Sequence, residues 1–209
     1  MADRGVATGA AAGKIVRSAD REITLPPLFK FANPIRFDKH TKIGQIRGAD
    51  LCVHWTVFLV AAVILTGVRR NPGLTILGLA AYWSVLLIHE TGHLIAAQRL
   101  GCTVFKIELY PIFGVTCFDT PWSRLDHCLI AWAGVAAQCV VAIPLVAWGS
   151  VFGYTRLNAV NMLFAILGYF SLVVAFFNLL PVPPLDGATA WGIIPALWAR
   201  RRATPRRKY

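Results

Sequence analysis

Residues 86–97 read LLIHETGHLIAA, an apolar run interrupted by His89, Glu90 and His93. The two histidines are four residues apart, so on a helix both imidazoles lie on one face and can reach one metal ion. Glu90 sits one residue round, close enough to touch a water on that ion. Zinc suits two imidazoles plus a carboxylate, with a fourth position left for water. It lowers the pKa of such a water to about 7, and a neighbouring carboxylate can take the proton. This is chemistry for attacking an amide carbonyl. The setting sharpens the reading, because an ionisable group near a bilayer centre costs about 2.5 kcal/mol or more and commonly marks a functional site.

Two imidazoles leave a catalytic zinc site incomplete. Glu108, Asp119 and Asp126 are available in the middle of the chain, but Asp186 is the better candidate. It lies in NLLPVPPLDG, residues 178–187, where Pro181, Pro183 and Pro184 cannot continue a helix. Broken backbone near membrane depth is tolerated only where protein or a water-filled cavity surrounds it. The chain therefore opens a helix and then presents one carboxylate followed by a glycine.

The elements that position these groups follow from composition. The chain is 56% hydrophobic and 15% charged, oilier than the roughly 45–50% apolar of soluble domains. Charges are nearly absent from residues 51–68, 73–98, 128–148 and 160–180. Each stretch has about the 17–25 residues a helix needs to cross a bilayer. The fold class expected is an all-α polytopic membrane protein of about four transmembrane helices, with His89 toward the end of the second. Lys and Arg divide eighteen to three between the two sides that four spans define. The positive-inside rule makes the richer side cytoplasmic, with both termini and the loop after the second span. The net charge of +11 then serves topology and lipid headgroups rather than nucleic acid. Residues 1–50 form a basic cytoplasmic tail without the apolar core of a signal peptide, residues 51–199 the core, and residues 200–209 a second basic tail. Five cysteines, odd in number and without a CxxC pair, read as small apolar residues.

Together, HExxH in one span and N-x-x-P-x-P-x-L-D-G at a later one resemble the site-2 protease family of intramembrane zinc metalloproteases, peptidase family M50. Asn178, Pro181, Pro183, Leu185, Asp186 and Gly187 match the second motif fully. The resemblance covers about residues 44–199. It implies one zinc ion per chain held by His89, His93 and Asp186, with Glu90 as catalytic base. It implies that Asn178 lines a substrate cleft and that single-pass transmembrane proteins are the substrates; high Ala and Arg usage points to a bacterium, and so to its inner membrane. KIELYPIFGVTCF, residues 106–118, is β-branched, aromatic and too short to span. It resembles the family's membrane-embedded β-hairpin between the second and third spans, whose edge strand pairs with unwound substrate, and it puts Gly114 among the substrate-contacting residues. In the third span the family's G-P-x-x-N is here Gly134-Val135-Ala136-Ala137-Gln138. The Gln amide reaches about 1.5 Å further than Asn, and Gln138 is the expected counterpart of a substrate-orienting amide. The family's PDZ or CBS domains have no room in this sequence. An inactive client-binding scaffold and a metal transporter are the competing readings. The intact HExxH and LDG oppose the first, and spans nearly bare of other polar groups oppose the second.

Overall fold

The protein is described by a computed structural model over residues 40–203. The expectations for residues 1–39 and 204–209 lie outside the described residues.

A four-stranded sheet opens the structure. β1 (His40–Ile46) and β2 (Ala49–His54) pair antiparallel. The two residues between them, Arg47 and Gly48, both have positive φ, at 50° and 89°, the left-handed pair that matches a tight hairpin to strand twist. β3 (Val104–Leu109) runs parallel to β2, and β4 (Gly114–Phe118) runs antiparallel to β3. The strand order is β1-β2-β3-β4.

A parallel pair needs a long crossover, and here two helices supply it. α1 (Thr56–Leu65) leaves the end of β2 and tightens into a 3₁₀ turn over Thr66–Arg69. α2 (Pro72–Arg99) returns to the start of β3. Asn71 caps α2 by accepting from the Leu74 amide at 3.0 Å, and Pro72 occupies its first turn. The left-handed Gly101, φ 82°, stops it.

Among the described residues, three helices are long and apolar enough to cross a membrane: α2, α3 (Arg124–Phe152) and α4 (Asn158–Asn178). The protein is a multi-pass membrane protein, and the exposed Val140, Val151, Val173 and Phe176 on α3 and α4 are apolar surface that lipid can cover. The first expected span departs from the sequence reading. Its opening residues, Leu51–His54, belong to β2, and the helix that follows covers only Thr56–Arg69, roughly 21 Å at 1.5 Å per residue. Leu51 and Val53 alternate inward with Cys52 between them, and an apolar strand of this kind looks like the start of a span by hydropathy alone.

The hairpin β3–β4 lies between α2 and α3 in the chain, as a larger sheet than a lone hairpin. Its inner face packs Ile107 and Leu109 with Leu86, Leu94 and Ala97 of α2. At its turn, Tyr82 of α2 donates to the carbonyl of Pro111. The hairpin thus runs beside α2 from Ala97 back to Tyr82, past the HExxH turn.

α2 and α3 cross closely. A Cβ on Gly92 would lie 2.8 Å from the Ala137 Cβ and overlap the Ala133 carbonyl. α4 is π-wound over Phe164–Phe170 and ends at Asn178 before the prolines. Two short helices follow, α5 (Gly187–Ala190) and α6 (Ile193–Ala203).

Candidate metal centre

His89, Glu90 and His93 sit on the buried face of α2. Asp186 arrives from the broken stretch after α4, immediately before α5. Gly187 makes this possible, because any Cβ there would overlap the Leu179 carbonyl at the end of α4. Side chains hold the stretch down: Trp132 Nε1 donates to the Ala190 carbonyl at 3.0 Å and Trp191 Nε1 to the Leu179 carbonyl at 2.7 Å.

The result is a convergence of three donor atoms. His89 Nε2 lies 2.8 Å and His93 Nε2 3.2 Å from Asp186 Oδ2, and the two nitrogens are 3.0 Å apart. A tetrahedral zinc about 2.0–2.1 Å from each donor separates them by roughly 3.3 Å, so small outward movements accommodate the ion. The opposite ring nitrogens are engaged as metal-bound imidazoles require. His93 Nδ1 donates to the Ile130 carbonyl at 2.7 Å, and His89 Nδ1 donates to Gln138 Oε1 at 2.8 Å. The donor set fits zinc.

Beside the donors is a cavity of about 130 Å³, lined in part by Glu90, His93, Gly114, Thr116, His127 and Asp186. Glu90 is nearly fully buried. Its Oε2 accepts from Thr116 Oγ1 at 2.7 Å, while Oε1 has no partner among the described residues. A buried carboxylate oxygen left unpartnered is costly, and here it belongs to the residue read as the base. Gly114 opens β4 directly against this carboxylate, where any Cβ would overlap Glu90 Oε1. Gly134 does the same for the imidazoles, since a Cβ there would lie 2.8 Å from His89 Cε1 and overlap His93 Nε2.

Of the residues read from the sequence, His89, Glu90, His93, Asp186 and Gly114 come together. Two do not reach the cavity. Gln138, expected at a substrate amide, is fully buried with its oxygen on His89. Asn178, expected in the cleft, turns its amide back along α4 and donates to the Val174 carbonyl at 3.1 Å. The other carboxylates considered as ligands are engaged elsewhere: Glu108 with Lys106 at 2.5 Å, Asp119 with the Thr103 amide at 2.9 Å, and Asp126 with Ser123 at the start of α3. Sequence reasoning missed Thr116, Ile130 and His127, because a lone hydroxyl, a backbone carbonyl and an isolated imidazole carry no spacing signal. Outside the spans, burial and then the nearby Glu108 push the Tyr110 phenol up to about 12, so the hairpin turn keeps a neutral hydroxyl.

The chain is similar to several known proteins. The family model for peptidase family M50 matches residues 153–209. The chain is 29% identical over 154 residues to zinc metalloprotease MJ0392 of Methanocaldococcus jannaschii, covering 70% of this chain and 42% of that one. It is 29% identical over 163 residues to the putative zinc metalloprotease Rip3 of Mycobacterium tuberculosis, covering 69% and 41%. It spans less than half the length of these relatives. Its fold is similar to that of the site-2 protease from Methanocaldococcus jannaschii, with a TM-score of 0.60 at 23% identity over 79% of this chain and 74% of that one. The end of the chain, residues 153–209, is thus similar to peptidase family M50, and the fold is that of the site-2 protease. His89, His93 and Asp186 form a group able to hold a metal ion, and the named relatives are zinc metalloproteases.

Proposed function

We propose that the protein is an intramembrane zinc metalloendopeptidase that hydrolyses peptide bonds within or near transmembrane segments of single-pass membrane proteins. One observation carries this reading. Glu90, whose Oε1 is unpartnered among the described residues, lines one cavity beside the edge strand β4 together with His93 and Asp186, two of the three converging donors.

A transmembrane helix shields its carbonyls in its own hydrogen bonds, so the substrate must unwind before it is cut. β4 is last in the strand order, and its outer edge can pair with an extended peptide largely independently of sequence. Such a peptide lies across the cavity that Gly114 and Thr116 line. Zinc, when bound by His89, His93 and Asp186, supplies Lewis acidity toward the scissile carbonyl and toward a water. Glu90 Oε1 takes a proton from the attacking water while Thr116 fixes Oε2 and so the carboxylate plane. As the oxygen–carbon bond forms and the carbon–nitrogen bond breaks, Glu90 passes that proton to the leaving amine. Gly114 keeps the carboxylate free to swing between the two positions.

The out-and-back course of α1 and α2 supports a shared side for the sheet, the start of α3 and the basic end of α6. With the excess of Lys and Arg there, that side is cytoplasmic, the membrane is a bacterial inner membrane, and cleavage falls in the cytoplasmic half of the substrate span. Reconstitution with candidate single-pass substrates, followed by mass spectrometry of product termini, tests this. Cuts clustered in the outer half overturn the orientation. The absence of zinc-dependent products leaves a client-binding scaffold.

A further inference from the structure

Gln138 is among the largest fully buried side chains of the protein, at 0% exposure. It sits in the interior of α3, on the face turned toward α2. An amide there costs free energy that a leucine of similar size would not. Half of that cost is unrelieved, since Nε2 has no partner among the described residues. The other half is relieved at a single atom, His89 Nδ1, 2.8 Å from Oε1.

The direction of that bond has a consequence at the far side of the ring. A carbonyl oxygen only accepts, so it holds the proton on Nδ1. The lone pair is then on Nε2, the nitrogen that faces His93 and Asp186. For His93 a main-chain acceptor, the Ile130 carbonyl, does the same at 2.7 Å. Among the described residues His89 Nδ1 meets no main-chain acceptor and depends on a side chain. One turn before Gln138, Gly134 removes the Cβ that would block both rings. This stretch of α3 therefore clears space for the imidazoles and then fixes one of them.

We propose that Gln138 is a positioning residue that selects the metal-binding tautomer and rotation of His89, and that it does not contact substrate. The inference rests on the zinc site assigned above but not on peptide cleavage. Its alternative is an ordinary interhelical hydrogen bond, which matters to packing alone.

Zinc affinity separates the two. The full chain in mild detergent is titrated with Zn²⁺ against a chromophoric chelator, beside Gln138→Leu and Gln138→Glu. Outer-shell partners of metal-bound imidazoles typically affect affinity by about 10–100-fold. The expected result is a loss of that size in Gln138→Leu, with helical circular dichroism unchanged. Gln138→Glu keeps an acceptor at the same place, and its affinity is expected at or above that of the unsubstituted chain. Gln138→Leu binding zinc within twofold of the unsubstituted chain overturns the proposal. So does a more than tenfold loss in Gln138→Glu, which stays decisive where the leucine variant fails to fold. Zinc binding and cleavage both surviving in Gln138→Leu overturns this inference and leaves the peptidase reading standing. Zinc binding that depends on Gln138 in a chain that cuts nothing does the reverse.

Discussion

Asp186 Oδ2 lies 2.8 Å from His89 Nε2, although 97 residues separate them in the chain. Two structural accommodations bring them together. Gly187 lets the stretch after α4 fold back against the helix end, and Gly134 lets α3 sit close beneath the imidazoles. The site is therefore an assembly of close backbone approaches as much as of ligands, and its glycines are as testable as its histidines.

Gly134→Ala places a methyl group where His93 Nε2 now lies. Packed interiors absorb such insertions at about 1–3 kcal/mol, and here the flexible part is the ligand itself. The expected outcome is weakened zinc binding, by tenfold or more, with the helices retained. Chelator competition beside circular dichroism checks it.

Gly114→Ala acts on the base rather than the metal. Its new Cβ collides with the Glu90 carboxylate, which must rotate away from Thr116. Zinc content should stay near that of the unsubstituted chain while turnover falls roughly 100-fold, the lower range for general-base catalysis. Zinc analysis and a cleavage assay on the same preparation distinguish this from unfolding.

Glu90→Gln keeps the shape of the side chain and removes its basicity. Zinc binding is expected unchanged, and turnover is expected to fall by about 10²–10⁴-fold. Because the variant still binds substrate, it should trap full-length client proteins on copurification.

Thr116→Val removes the hydroxyl 2.7 Å from Glu90 Oε2. It leaves the strand, since valine suits β-structure. Turnover should fall less than in Glu90→Gln, with bound zinc unchanged, as a cleavage assay and zinc analysis on one preparation would show. Glu90 would have lost the hydrogen bond that fixes the plane of its carboxylate.

Much of the centre was legible because its signals are geometric. A four-residue spacing puts His89 and His93 on one helix face, and three prolines before Asp186 announce a helix that must end. The start of the first expected span was not legible. Leu51 and Val53 are as apolar in a strand as in a helix, and only pairing with β3 decides between them. The role of Gln138 was hidden for another reason. An amide in a span advertises function, but which partner it meets depends on the α2–α3 crossing at Gly92 and Gly134. The partner of Asn178 was equally hidden: its motif position suggests the cleft, and its amide donates to a carbonyl of its own helix.

The central claim is that two motifs far apart in the chain build one zinc site. Bound zinc per chain, measured by elemental analysis on detergent-purified protein beside Asp186→Ala, tests it without any substrate. The expected result is about one zinc per chain, lost or weakened at least tenfold in the variant. A folded chain that takes up no zinc when it is supplied contradicts the claim. So does an Asp186→Ala protein that keeps zinc in full.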